Sequence, residues 1–307
     1  MTTPEAAPRR AIALAATGAA CISSSAILIH LADVGAATTA FFRCLMALPP
    51  LVVLAVIEQR RHGRRRFQQR WRAFAAGGAF AVDLVLWNHA IFDVGAGVAT
   101  VLGNLQVLFV VAAAWILFKE RPSARFLAAL PVVGGGVILV AGLIGGSSYG
   151  HRPLAGVLFG VGTSIAYAVF LLVFRTARAS TPHIAGPLAD ATAGACLSSL
   201  LIGLVVGSLQ FSPPLQALGW IAALALLSQT IGWLFITSSL PHLPSAVSSL
   251  LLLLQPAAAM LLAAVVLSER PTGWQLLGAG LVCCGVLFAV WNSNQVTETS
   301  TTETVVA

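Results

Sequence analysis

The sequence predicts an all-α integral membrane protein, with ten transmembrane helices in two inverted five-helix repeats. Three observations predict it: a composition too apolar for a water-facing surface, ten apolar runs of spanning length, and a charged tripeptide that recurs with its neighbours at a fixed offset. Hydrophobic residues make up 58% of the 307 positions, charged residues only 9%, and the mean hydropathy is +0.91. So few charges cannot cover a globular domain of this size, so lipid is the expected solvent.

A spanning helix needs about 20 mostly apolar residues, because the hydrocarbon core is roughly 30 Å thick and a helix rises about 1.5 Å per residue. In chain order the runs are Arg10–Leu31, Ala36–Ile57, Trp71–Phe92, Ala96–Phe118, Ala124–Ile144, Leu154–Phe174, Ile184–Ser208, Leu215–Leu240, Leu243–Leu267 and Gly273–Trp291. Asp93, Gly95 and Gly97 mark the joint between the third and fourth runs, and Pro241, His242 and Pro244 that between the eighth and ninth. The first run follows Arg9 and Arg10 but is too long for the apolar part of a signal peptide. It is therefore read as a retained span.

These runs divide the chain into an N-terminus (1–9), a first five-helix repeat (10–144), a linker (145–153), a second repeat (154–291) and a polar tail (292–307) expected to be disordered. The formal net charge of +7 is concentrated in one loop, at Arg60, Arg61, Arg64, Arg65, Arg66, Arg70 and Arg72. Almost no aromatic residues interleave there for base stacking, so the loop reads as a positive-inside cytoplasmic loop and not as a nucleic-acid surface. That placement makes both termini cytoplasmic in a cell-membrane protein.

The five cysteines, Cys21, Cys44, Cys196, Cys283 and Cys284, all lie in apolar runs and offer neither a disulfide framework nor zinc spacing. The six histidines are scattered, and no nucleotide-binding GxxxxGK[ST] sequence is present. No cofactor and no metal are expected, and any driving force is expected to come from a gradient. Gly156/Gly160 and Gly203/Gly207 have GxxxG spacing, which suits close helix packing and would also suit a homodimer contact.

Glu120-Arg121-Pro122 recurs as Glu269-Arg270-Pro271, an offset of 149 that also superimposes Gln106 on Gln255, Leu127 on Leu276 and Gly136-Val137 on Gly285-Val286. The duplicated unit holds an odd number of runs, so its second copy is expected to enter the membrane from the opposite side. Inverted repeats of this kind flank the substrate path of many secondary transporters. In each copy the tripeptide reads as a hairpin, with the proline in the first turn of the next helix and the glutamate favouring that helix's positive end.

Three stretches resemble the EamA-type exporters of the drug/metabolite transporter superfamily. They are AFFRCLMALPPL around Arg43, the region from Leu84 to Val140, ending in a helix, the Glu-Arg-Pro hairpin and a glycine-bearing helix, and the region from Ile236 to Phe288 that repeats it. Gln255-Pro256 matches a mid-helix proline common in that family, whereas Val107 replaces it in the first copy. The resemblance implies ten helices and export of amino acids, related metabolites or drug-like compounds, with a small-molecule substrate and the bilayer as partners.

Ionisable groups inside apolar runs cost about 2.5–3.5 kcal/mol each on insertion scales, so they mark candidate functional positions. Arg43 and Asp83 lie at similar depths, roughly 10–15 Å from the outer face, and are expected to pair, either pinning two helices or facing the path. Asp83, Asp190 and His89 are candidate proton-coupling groups, with Arg175 and Arg178 as the expected anchors of Asp190 and Asp93 sharing a face with His89. Trp87, one turn beyond Asp83, together with Tyr167 and Trp233, would supply flat walls for an amphipathic substrate. Gln106 and Gln255, at repeat-equivalent positions, and Ser248, seven residues before Gln255, either line the path or lock helices together.

The expected function is secondary transport, with export by alternating access and proton exchange as the leading form. A lipid-modifying enzyme would need converging catalytic groups, and a non-transporting scaffold would leave Arg43, Asp83 and Asp190 as costly residues without use.

Overall fold

Within hydrocarbon every backbone N–H and C=O must find its partner inside the protein, and a helix does this within one segment. The computed structural model describes residues 6–118, 124–140, 142, 152–178, 181–239 and 245–290. All its regular structure there is helical. The helices are α1 (Ala6–Ser23), α2 (Ser25–Ala32), α3 (Ala36–His62), α4 (Phe67–Val94), α5 (Ala96–Gly103), α6 (Gln106–Phe118), α7 (Ala124–Val140), α8 (Pro153–Arg178), α9 (Ala185–Val206), α10 (Leu215–Leu224), α11 (Trp233–Ser239), α12 (Ser245–Val266) and α13 (Gly273–Val290). A π-helical segment, Ala225–Gly232, joins α10 to α11.

Among the described residues, seven helical segments are long and apolar enough to cross a membrane: Arg10–Ala32, Ala36–His62, Phe67–Val94, Ala96–Ala113, Pro153–Arg178, Ala185–Val206 and Leu215–Ser239. Ala124–Val140, Gln255–Val266 and Gly273–Phe288 are shorter apolar helices. The second expected span runs on to His62 and the third begins at Phe67, so the arginine-rich connection shrinks to residues 63–66. Only Gly95, at φ 91°, separates α4 from α5, a left-handed backbone position that glycine adopts without the Cβ penalty. The first Glu-Arg-Pro, at Glu120, Arg121 and Pro122, and the polar tail lie outside the described residues.

The offset of 149 reappears in three dimensions. Ala36 and Ala185 open α3 and α9, Ala96 and Ser245 open α5 and α12, and Ala124 and Gly273 open α7 and α13. Each of these pairs packs together, and the contact of α4 on α8 is matched by α10–α11 on α1–α2. Side chains repeat the exchange: a Cβ on Gly136 would lie 2.9 Å from Val282 Cγ2, and one on Gly285 would lie 2.6 Å from Val133 Cγ2. Residue i meets j while the repeat equivalent of j meets that of i, the signature of a pseudo-two-fold arrangement.

Helix approach is closest where α4 crosses α9. A Cβ on Gly77 would collide with the Ala191 carbonyl oxygen, and one on Gly194 with that of Phe74. Gly156 and Gly160 face Val94 and Leu102 within the chain, so this GxxxG pair is taken up by internal packing.

Two carboxylates tie the ends of the bundle. Glu58, near the end of α3, accepts from the N–H groups of Ile184, Ala185 and Gly186 at 3.0, 2.9 and 2.9 Å, capping α9. Glu269 accepts from the N–H of Ala96 at 2.9 Å, capping α5 in the other half of the chain. The expectation that Glu269 serves its own following helix is therefore corrected. Thr272 and Gln275 cap α13 reciprocally: the Gln275 N–H donates to Thr272 Oγ1 and the Thr272 N–H to Gln275 Oε1. Pro271 sits ahead of that cap and not in the first helical turn.

Candidate functional site

Three helical segments break at one level of the bundle, and a cavity opens where the breaks meet. The first break is at Ser24, where Ser23 Oγ donates to the Ala19 carbonyl and Ser24 Oγ to that of Cys21, competing with the helical ladder. The second is at Asn104–Leu105, where Asn104 Nδ2 donates to the Thr100 carbonyl and the turn tightens through a Leu105 N–H bond to Leu102. Ser164 of α8 recovers the loosened carbonyl of Leu102 at 2.6 Å. The third is the π-helical segment before Trp233, whose Thr230 hydroxyl bonds the Ala225 carbonyl at 2.8 Å. Irregular backbone at membrane depth is tolerated where it lines a cavity, and π-turns often mark functional positions.

The cavity offers about 90 Å³ to the centres of water-sized molecules. Arg43 and Asp83 both line it, with side chains from Trp87, Gln106, Tyr167, Trp233 and Gln255. Residues from both halves of the chain therefore meet around one space. Ser248 lies in the part of α12 whose side chains are outside the described ones.

Arg43 is 3% exposed. Its Nε donates to Gln229 Oε1 at 3.0 Å and its Nη2 to Ser228 Oγ at 3.4 Å, both on the π-segment. Ser25, beside the first break, donates in turn to Ser228. Gln229 Nε2 donates to Thr192 Oγ1 at 3.2 Å, and Thr192 is the repeat equivalent of Arg43. The remaining guanidinium nitrogen, Nη1, is buried without a partner.

The expected Arg43–Asp83 pair does not form. Among the described residues no hydrogen bond or ion pair reaches the Asp83 carboxylate, although Thr163 Oγ1 donates to the Asp83 backbone carbonyl at 3.3 Å. Arg43 has already spent two of its nitrogens on the π-segment. A cation and a carboxylate that do not pair with each other among the described residues thus line the same cavity.

The apolar wall is an aromatic cluster. Phe80 stacks on Phe170 with centroids 4.6 Å apart, and Trp233 meets Phe170 and Phe80 edge-on at 5.5 and 5.8 Å. Tyr167 stacks on Phe170 at 5.7 Å. These contacts hold Tyr167 and Trp233 in place as cavity walls. Gln106 Oε1 is buried and unpartnered, which fits the path-lining alternative better than a helix lock.

Two expected coupling groups lie elsewhere. Asp190 pairs with Arg65 at 2.8 Å, off hydrogen-bond geometry, and with Arg70 at 3.6 Å, not with Arg175 or Arg178. The arginine-rich connection folds over the start of α9 and reaches it first. His89 is exposed and stacks on Phe159 at 5.1 Å, while Asp93 pairs with Arg152 at 3.2 Å. Among the described residues, His89 and Asp93 thus have different partners.

Sequence reasoning missed Ser25, Ser228, Gln229, Thr163 and Asn104. Gln229 carries a legible signal, an amide inside an apolar run, which lacks only a repeat partner, since Phe80 occupies the equivalent position.

A helical bundle of two related halves, with interrupted helices around a polar, aromatic-walled cavity, defines a membrane transporter. The chain belongs to the EamA-like transporter family, whose profile matches residues 9–142 and again 154–291. It is thus a multi-pass transmembrane protein of the drug/metabolite transporter superfamily. It is similar to a crystallised protein at a TM-score of 0.62 and 17% identity, over 91% of this chain and 97% of that one, a likeness of fold. No curated protein matches the sequence significantly.

Proposed function

We propose that the protein is a secondary transporter that exports amino acids, related small metabolites or drug-like compounds by alternating access, with Asp83 carrying the coupling proton. Ten spans in two inverted halves, 10–144 and 154–291, would put both termini on one side of a cell membrane, and the arginine-rich connection favours the cytoplasmic side. The observation that carries this reading is that Arg43 and Asp83 line one cavity while, among the described residues, Arg43 Nη1 has no hydrogen-bond partner and the Asp83 carboxylate has no hydrogen bond or ion pair. An anionic group meets the guanidinium, an ammonium group or a proton meets the carboxylate, and an apolar body packs on Trp87, Tyr167 and Trp233. A charge buried without a partner is costly, and substrate binding offsets that cost.

The odd number of apolar runs per repeat supports inversion, and the exchanged contacts between halves support a pseudo-two-fold relation of the two bundles. Alternation would then interchange the states of two similar bundles around a shared site.

The test is a cell-based challenge with toxic amino-acid analogues and drugs. Cells expressing the protein should resist at least one compound, and cells expressing Asp83→Asn at equal abundance should not. Equal resistance in both would remove Asp83 from the mechanism, and sensitivity in both to a broad panel would remove export.

A further inference from the structure

The connection between α3 and α4 forms a second pocket, which shares no lining residue with the central cavity and is lined by Gln59, Arg64, Arg65 and Arg70. Arg65 is built into its wall. The side chain is 9% exposed, and the guanidinium lies flat on Gly186, where a Cβ would come within 2.6 Å of Nε. Asp190 approaches Nη2, but Nη1 is buried with no hydrogen-bond partner. Arg70, 59% exposed, makes only the longer 3.6 Å contact with the same carboxylate. Arg64 makes no ion pair among the described residues. Against three guanidinium groups stand Asp190 and Glu58, which caps α9 at Gly186, so the pocket keeps one positive charge in excess and an unsatisfied donor.

We propose that this pocket is a binding site for a phosphoryl oxyanion, held in a fork by Arg65 and Arg70 with Arg64 closing over it. Guanidinium groups match phosphate oxygens two at a time, and the glycine at position 186 lets the Arg65 fork lie close to the start of α9. The ligand is either the headgroup of an anionic lipid or a free phosphate. Phe67 and Trp71, 78% and 59% exposed on the first turns of α4, set the pocket at the level where aromatic side chains meet lipid headgroups.

The full-length protein in neutral detergent is titrated separately with dioctanoyl-phosphatidylglycerol, sodium phosphate and dioctanoylglycerol, reading the thermal unfolding midpoint. A saturable upward shift is expected from the phospholipid, the phosphate or both, and none from dioctanoylglycerol. Response to the lipid alone identifies a headgroup site, and an equal response to phosphate identifies a free-anion site. Arg64→Gln and Arg70→Gln, both at exposed positions, should each weaken binding about fivefold, the share of one arginine near a charged surface. Saturation unchanged in both variants, a matching shift from dioctanoylglycerol, or no shift from any titrant overturns the site. The outcome is independent of transport through the central cavity.

Discussion

Arg43 Nε donates to Gln229 Oε1 at 3.0 Å, binding α3 to the π-segment of the opposite half, and the same amide reaches Thr192 on α9. Gln229 is fully buried, so its amide is a keystone between the two repeats. Gln229→Met leaves a buried guanidinium N–H unsatisfied and should cost about 1–3 kcal/mol. Gln229→Glu keeps an acceptor for Arg43 and should retain the fold, yet it supplies the anion that a substrate would otherwise bring. Transport by Gln229→Glu should therefore fall at least tenfold at near wild-type unfolding temperature, measured on the same preparation in proteoliposomes.

Asp83 carries the opposite imbalance. Asp83 is buried, and among the described residues its carboxylate has no hydrogen bond or ion pair, so removing the charge should stabilise the bundle while abolishing coupling, a trade of stability against function. Asp83→Asn is expected to raise the unfolding midpoint by an amount equivalent to about 1 kcal/mol or more. A fall in the midpoint would mean that the carboxylate has a structural partner in the membrane.

Helix positions were legible because lipid imposes a length and a composition that show directly in the residues. The offset between the two Glu-Arg-Pro sequences shows the duplication, whereas the packing of α3 on α9, α5 on α12 and α7 on α13 is seen only in the fold. The breaks at Ser24, at Asn104 and in Ala225–Gly232 were not legible. They arise from short side-chain bonds to carbonyls and one extra residue in a turn, neither of which alters hydropathy. Asp190 was matched to arginines near in sequence, whereas the fold brings Arg65 across from a different connection. Most cavity residues were legible because polar and aromatic side chains in apolar runs are few; their partners depend on tertiary approach.

The two caps at the second Glu-Arg-Pro hairpin serve different helices and can be separated. Glu269→Ala removes the acceptor of the Ala96 N–H, and amide exchange should accelerate at the start of α5 while α13 is unchanged. Thr272→Ala opens the cap of α13, at a cost of about 1 kcal/mol, and should leave α5 protected. Identical exchange patterns from the two variants would contradict this division.

Glu58 holds three N–H groups at the start of α9, where the helix dipole also favours a negative charge. Glu58→Ala should lower stability by about 2–3 kcal/mol, because three orphaned donors lose a charged acceptor together. Glu58→Gln retains one carbonyl acceptor and should recover part of the loss. Hydrogen exchange across 184–186 checks the location, and unchanged protection there in Glu58→Ala would remove the cap from the energetics of the fold.

The crossing of α4 on α9 leaves no room for a methyl group at either glycine, since the atoms in the way are backbone carbonyls of the facing helix and not the flexible ends of side chains. Relief requires the helices to separate, so every contact along the crossing weakens at once. Gly194→Ala is therefore expected to destabilise the protein by more than the gain of about 1 kcal/mol that alanine brings to a helix interior. Gly134→Ala serves as the control, because open space surrounds that position and the helix propensity gain is unopposed. Thermal unfolding in detergent should move down for Gly194→Ala and up or not at all for Gly134→Ala. Equal shifts would show that α4 and α9 have freedom to part.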